Sequence, residues 1–404
     1  MPFEWFVALR YLRQGRAQTG LILAAVAIGV SVIVFLSALI NGLQTSLVKQ
    51  TLGAQPHVTL RPMEETPRPA PSPGVAVARL TEKTSPRLRS IDQWPLVLAS
   101  IERVPGVLAA SPTVVGPGFA ERGTARRPVV LRGIDAERFS TVIDLRSKMV
   151  RGRFDVSGGN VVIGTELADN LGVNVGDKIR VATPEGVDGQ VTIAGVFDAG
   201  VKPVNQAWVL TSLRQAQSLF ALPGSATEVE VKVAQVFDAE RIALEIQDST
   251  GLPADSWMKL NAQLLVGLKS QDSSKFMIQF FVVLAVALGI ASVLIVSVVQ
   301  KSKEIGILRA YGTPARRILV LFLIQGGMVG LLGSFVGSGL GALFSLGFQR
   351  LARNADGSPT IPVQLDLPLF AGASLLAVGI GLLSAAVPAW RASRLDPAAA
   401  IRHG

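Results

Sequence analysis

The sequence predicts a membrane α-helical protein, with four transmembrane helices and a large α+β periplasmic domain inserted between helices one and two. Three observations predict it. Of 404 residues 49% are hydrophobic, and the mean hydropathy is +0.43, too apolar for a usual soluble chain and too polar for an all-membrane one. Four runs, Leu21–Leu43, Phe276–Val299, Ile318–Phe348 and Leu367–Ala389, carry no charged residue and are long enough to cross about 30 Å of hydrocarbon. Between the first two, residues 44–275 hold no such run and alternate strand-like with helix-like segments.

The elements follow in order. Residues 1–17 begin with PFEWFVALRYLRQ, an interfacial helix whose Phe6, Leu9 and Leu12 face lipid while Arg10 and Arg13 face headgroups. Residues 18–43 form transmembrane helix 1. Its apolar run continues into Asn41-Gly42-Leu43 without a small-residue cleavage site, unlike a signal peptide. Residues 44–275 form the α+β domain, with a Pro-rich insertion at 60–95 (RPMEETPRPAPSPG). Strands are expected at 128–133, 160–164, 178–182, 190–197 and 229–233, and helices at 165–171, 213–220 and 238–249, the first of these capped and closed by Gly172. Trp257, Leu260, Leu264 and Leu268 recur at helical spacing, so 255–275 reads either as a stiff stalk running into the second span or as a packing helix of the domain. Transmembrane helix 2 is 276–299, followed by a cytoplasmic segment at 300–317. Transmembrane helix 3 is 318–348, a periplasmic loop 349–366, transmembrane helix 4 is 367–389 and a cytoplasmic tail 390–404.

The third span carries Gly333, Gly337 and Gly341 at four-residue intervals, with Gly326 and Gly330 as a second pair. Small residues let helix backbones approach in lipid. The spacing leaves open whether that approach is inside one subunit or across a dimer interface.

The net charge of +10 does not indicate nucleic acid. Residues 44–275 hold 26 Lys/Arg against 24 Asp/Glu, so the basic excess lies beside the spans. Topology and membrane lipids explain it there, and it places both termini and 300–317 in the cytoplasm. Lys269 and Lys275, outside the second span, run against that trend.

The search for chemistry ends in exclusions. Cysteine is absent and only His57 and His403 are present, so no metal site and no disulfide is expected. No G-x-x-x-x-G-K-[ST], G-x-S-x-G or H-E-x-x-H occurs, so no catalytic residue is assigned and no cofactor is expected on this chain. GVNVGDK at 172–178 joins a helix to a strand, the wrong order for a phosphate loop, and reads as a turn. Charge-free spans argue against an ion-coupled carrier.

The segment between spans two and three reads VQKSKEIGILRAYGTPARRI and holds Lys301, Lys303, Arg309, Arg316 and Arg317 against Glu304 alone. KEIGILRA is one short helix, Gly312 permits a turn, and Thr313-Pro314 opens the next helix as cap and first residue. The composition leaves two readings open, a topology-fixing loop or a helix that something in the cytoplasm pushes.

This layout resembles the permease subunits of ABC transporters of the MacB/FtsX/LolC–LolE superfamily, and most of all the lipoprotein-releasing LolC/LolE branch. Lys303, Glu304, Ile305, Gly306, Leu308, Arg309 and Gly312 fall in a stretch similar to the family's ATPase-coupling helix. Pro388, Arg391, Ala392, Asp396-Pro397, Ala400 and Arg402 are similar to its C-terminal signature. Val104-Pro105-Gly106-Val107 to Pro112, Val161 to Val181 and Val236-Phe237-Asp238-Ala239 resemble the LolC/LolE branch. The resemblance implies two copies of an ABC ATPase that bind ATP and Mg, a second permease copy or paralogue, a periplasmic adaptor or carrier, and an inner-membrane location. It implies mechanotransmission: ATPase closure moves the coupling helix, and the outer domain extracts a lipoprotein or other amphiphile. Its alternatives are MacB-like export of a drug, peptide or metal-related compound, and FtsX-like control of a cell-wall hydrolase. A membrane-anchored receptor without an ATPase fits the paired motifs less well. One departure is visible: the turn Thr183–Gly189 is short, where LolC carries an extended hook that captures its soluble carrier.

Overall fold

The computed structural model describes residues 3–14, 16–63, 88–353, 359 and 361–395. Its helices are α1 (Phe3–Gln14), α2 (Arg16–Leu52), α3 (Trp94–Ile101), α4 (Ala136–Val142), α5 (Thr165–Leu171), α6 (Lys202–Ala207), α7 (Leu213–Leu219), α8 (Ala239–Thr250), α9 (Trp257–Leu260), α10 (Ala262–Gln300), α11 (Ser302–Ala310), α12 (Ala315–Leu351) and α13 (Leu367–Ser393). Its strands are β1 (Val58–Leu60), β2 (Val107–Arg122), β3 (Ala125–Ile134), β4 (Met149–Gly152), β5 (Asn160–Gly164), β6 (Lys178–Ala182), β7 (Asp188–Phe197), β8 (Trp208–Ser212), β9 (Glu228–Val233) and β10 (Ala254–Ser256). The chain divides into two compact units, residues 1–47 with 266–404, and residues 48–265.

The first unit is a helical bundle. Four helices, α2, α10, α12 and α13, are long and apolar enough to cross a membrane. Their shared core is small and β-branched: Val26, Val30 and Val34 of α2 meet Ile290 and Leu294 of α10, Val329 of α12, and Ala373, Ala377 and Ala385 of α13. The two glycine stripes of α12 serve two neighbours. A Cβ on Gly337 would lie 2.6 Å from the Ala27 carbonyl oxygen, and one on Gly341 would lie 2.8 Å from Val34 Cβ, both on α2. A Cβ on Gly330 would lie 2.5 Å from the Ala377 carbonyl oxygen, while Gly326 is closed by Gly381, both on α13. Glycine is needed there because backbone meets backbone.

The second span carries an unforeseen polar seam. Along α2, Ser37, Asn41 and Gln44 share one face. They meet Gln279 (2.8 Å), Lys275 (3.0 Å) and Asp272 (2.9 Å) of α10 in reverse order, as antiparallel helices require. Lys275, which looked like contrary topology evidence, has a partner inside the bundle.

The second unit is built on one ten-stranded sheet with the order β10-β1-β9-β2-β3-β8-β5-β7-β4, with β6 pairing both β2 and β7. The strand β3 runs parallel to β8, and β5 parallel to β7; the other pairings are antiparallel. Three apolar clusters flank it. Leu167, Leu171, Ile179, Val191 and Val209 form one. Val231, Ile242, Ile246 and Trp257 form a second. Phe139, Leu145, Phe197 and Leu210 form a third. Inside, Arg132 pairs with Glu230 and stacks 4.2 Å over the Trp208 ring, which keeps a buried charge pair partnered.

Several expectations need correction. The helix expected from Asp255 is broken. Asp255 lies on β10, α9 is one turn capped by the Ser256 hydroxyl, and Asn261 interrupts it before α10. Trp257 is fully buried because it anchors the β-domain core, its indole N–H donating to the Val236 carbonyl at 2.8 Å. The expected stalk at 255–275 is therefore no single helix. The expected insertion at 60–95 runs too far: Ile91 is buried and bridges Ala226, and Trp94 opens α3. Residues 64–87 lie outside the described residues. The helix at 165–171 carries no side-chain cap, its N-cap being Gly164. Strand β2, sixteen residues long, went unread because Pro112, Gly116, Pro117 and Gly118 punctuate it.

Candidate functional site

Helix α11 is the candidate coupling element, and its sequence explains its geometry. Ile305 is 1% exposed and Gly306 is buried, so one side faces the bundle. Ile305 packs with Ala8 and Tyr11 of α1, Ile318, Leu321 and Phe322 of α12, and Ala389 and Ala392 of α13. Leu308 is partly buried against the same cluster. Lys303, Glu304 and Ile307 are exposed on the opposite side, and Tyr311 is 88% exposed just past the helix end. The end is a Schellman closure: Thr313 N–H donates to the Leu308 carbonyl at 3.1 Å, Gly312 N–H to the Arg309 carbonyl at 3.0 Å, and Gly312 takes φ +88°. The next helix starts one residue later than expected. Pro314, with ψ 147°, is its N-cap residue, so the helix has no side-chain cap, and the Thr313 N–H closes α11.

The charges of α11 are tied within the chain. Glu304 accepts from Lys301 at 2.6 Å and from the Tyr11 hydroxyl. Burial first, then Glu304 close by, push the Tyr11 hydroxyl up to about 12, so it stays a donor. Lys301 also lies 5.2 Å from the Tyr11 ring centre. Arg309 faces inward: its guanidinium donates to the Ser393 carbonyl at 3.1 Å and the Leu395 carbonyl at 2.6 Å, satisfying the C-terminal end of α13. Arg309 of the coupling-like stretch is thus held by its own chain.

Helix α1 braces the assembly. Ala8 and Tyr11 are buried, Glu4 reaches Arg317 at 3.5 Å, and Trp5, Phe6 and Leu9 remain exposed. Side chains of Leu12 and Arg13, and the tail residues Asp396 to Arg402, lie outside the described residues.

Residues 19–249 match the family model described as MacB-like periplasmic core domain, and residues 276–397 match the model described as FtsX-like permease C-terminal. The first covers more than half the chain. The chain belongs to the MacB-like periplasmic core domain family. As a MacB/FtsX-type permease it is similar along its length to the lipoprotein-releasing system transmembrane protein LolC of Neisseria meningitidis serogroup B, 24% identical over 99% of each chain. It is also similar to the corresponding LolE of Haemophilus influenzae, 22% identical over 98% of this chain and 99% of that one. Among solved structures, the periplasmic region of MacB from Actinobacillus actinomycetemcomitans aligns with 54% of this chain and 95% of its own, at 12% identity and TM-score 0.34.

In this permease the sequence-derived residues do not gather at one place. Lys303, Glu304, Ile305, Gly306, Leu308, Arg309 and Gly312 lie together on and just after α11. The five glycines pack α12 against α2 and α13 of the same chain. Leu264 packs under the β-domain core beside Trp257, while Leu260 is 45% exposed. Sequence reasoning missed Gln325, buried at 4% exposure in α12 with no partner for its Oε1 among the described residues. The available signal was simple: it is the one amide side chain in the apolar run 318–348.

Proposed function

We propose that this chain is the permease subunit of an ATP-driven ABC transporter that works by mechanotransmission and extracts a lipoprotein or other amphiphile at the outer face of the inner membrane. The observation that carries the proposal is α11, a short helix between two candidate spans, with Ile305 and Gly306 locked into the bundle and Lys303, Glu304, Ile307 and Tyr311 turned outward. A force on the outward side is passed to α1, α12 and α13 through one packed cluster. Full-length similarity to LolC and LolE supports the cargo class.

In this reading two ABC ATPase subunits dock on α11 and hydrolyse ATP with Mg, a second permease copy or paralogue completes the transporter, and both termini are cytoplasmic. The unit 48–265 is periplasmic. The β6–β7 turn closes tightly, Thr183 N–H donating to the Val187 carbonyl at 2.8 Å with Gly186 at φ +87°. That compact turn favours a LolE-like role over a LolC-like capture of a soluble carrier.

The test is co-purification of the chain with its ATPase, followed by mass spectrometry of the retained cargo. ATPase recovered in about equal amount together with triacylated protein supports the proposal. An ATPase-free chain, or cargo that is not amphiphilic, defeats it.

A further inference from the structure

Between α1, α2, α10 and α12, next to the residue that precedes α11, lies a cavity of about 280 Å³ lined by Tyr11, Gln18, Thr19, Ile22, Val293, Ser297, Gln300, Lys301 and Gln325. That is room for about nine waters at ~30 Å³ each, or for one small polar group. Its composition is unlike the rest of the bundle. Ile22 and Val293 are the apolar lining, and the other seven side chains donate or accept hydrogen bonds. Gln18 donates to Gln300 at 2.9 Å, a pair in the exposed part of the wall. At the buried part stands Gln325, 4% exposed, whose amide oxygen has no partner among the described residues. An orphaned buried acceptor is costly, and the apolar run around it gives no structural reason for an amide.

The depth of the cavity narrows the ligand. Gln18 and Thr19 precede the apolar run that begins at Leu21, while Gln300 and Lys301 follow the one that ends at Val299. In a chain whose long helices span a bilayer, these four residues lie at the headgroup layer, while Ile22, Val293, Ser297 and Gln325 lie just inside the apolar runs. The charge narrows it further. Lys301 is the one cation among the described lining residues, and Glu304 beside it tempers that charge, so a highly charged anion is a poor match for them. Amide, hydroxyl and ammonium donors suit one phosphate, and the Gln325 oxygen calls for a donor in return.

We propose that this cavity holds the headgroup of a glycerophospholipid that carries a hydrogen-bond donor beyond its phosphate, an ethanolamine ammonium or a glycerol hydroxyl. The phosphate lies toward Gln18, Gln300 and Lys301, and the donor toward Gln325. The lipid then stands against Tyr11 of α1 and Lys301, both of which hold Glu304 of α11, so lipid composition sets how firmly the coupling helix is seated. The inference rests on the spanning helices and is independent of ATPase or cargo.

The experiment is native mass spectrometry of the full chain released from nanodiscs holding equal parts phosphatidylethanolamine, phosphatidylglycerol and phosphatidylcholine. Choline bears a phosphate but no N–H or O–H donor. The expected result is enrichment of ethanolamine or glycerol lipid over choline lipid by about fivefold, the equilibrium factor of one net hydrogen bond. Gln325→Leu and the outer-wall variant Gln18→Ala both bring the ratio back to that of the bulk lipid, and inorganic phosphate displaces nothing. Gln18→Ala guards against a core variant that fails to fold. Equal retention of choline lipid, an unchanged ratio in folded Gln18→Ala and Gln325→Leu, or binding of inorganic phosphate alone overturns the proposal.

Discussion

The guanidinium of Arg309 donates to the Leu395 carbonyl at 2.6 Å and so holds the segment that follows α13 against α11. A charged donor on orphan helix carbonyls contributes more than a neutral one. Arg309→Ala is expected to cost about 1–2 kcal/mol, the lower part of the range because the site is half-buried. Arg309→Lys recovers only part, since the more strongly hydrated ammonium is costlier to hold at a half-buried site. Thermal melts of the purified chain check this; equal melting of wild type and Arg309→Ala would refute the clamp.

Gly337 is predicted to be intolerant of any side chain. A Cβ there meets the Ala27 carbonyl oxygen at 2.6 Å and Val30 Cβ at 2.7 Å. Gly337→Ala should cost about 1–3 kcal/mol, as overpacking does, and Gly337→Leu should abolish the folded yield. Gly339, with nothing within 4 Å of its Cβ position, is the control: Gly339→Ala should melt no lower than wild type. Equal melting of Gly337→Ala and Gly339→Ala would show that α12 does not pack on α2 as described.

Glu304→Lys separates docking from topology. The charge change strengthens the positive-inside signal. It removes the exposed Lys301–Glu304 ion pair, worth only about 0–1 kcal/mol, and the acceptor of the buried Tyr11 hydroxyl, worth about 1–3 kcal/mol. The variant is therefore expected to insert with a modestly lowered melting temperature, yet to recover little ATPase in pull-downs and release no cargo. Normal pull-down and release would reduce α11 to a connecting loop.

His57 sets an acid limit on the periplasmic unit. Burial first, and then Lys232 close by, hold its imidazole below the ordinary 6.5 against the opposing pull of the Val233 backbone, whose N–H and carbonyl both lie 3.1 Å from Nδ1. The unfolded chain takes the proton first, so stability is present above about pH 6.5 and is lost as pH falls from there through the lower folded value. Melting followed from pH 7.5 to 5 should show this decline, and His57→Gln should flatten it near pH 6. An equally steep decline in the variant would assign it to other groups.

The seam between α2 and α10 gives a fourth contrast within the bundle. Lys275→Met removes the donor to Asn41 at 3.0 Å and leaves that amide short of a partner. Chain yield in detergent should fall, and Asn41→Leu combined with Lys275→Met should recover part of it, because replacing both partners removes the unsatisfied group. No recovery in the double variant would show that the two side chains do not act as a pair.

Long-range hydrophobicity was legible in the sequence. The four apolar runs lie inside α2, α10, α12 and α13, because a helix that must satisfy its own backbone in lipid writes itself as a long uncharged stretch. Short strands with plain alternation were legible too: β5 and β6 fall on the expected residues. Strand β2 was not, since prolines and glycines in a strand become readable only when the pairing that tolerates them is known. The direction of Arg309, the burial of Trp257 and the isolation of the Gln325 amide were not legible for a related reason. Each depends on which distant residue arrives beside it.

By itself the sequence determined the class of the molecule, its four apolar helices, the position of α11 between two of them, and the glycine spacing that lets helices meet. Those are properties of contiguous residues, fixed by period and composition. Only the tertiary structure decided that the glycines serve α2 and α13 of the same chain, that Arg309 turns inward to Leu395, and that Gln18, Gln300, Lys301 and Gln325 surround one cavity. Those are meetings between residues far apart in the chain, and packing, which no local pattern encodes, chooses them.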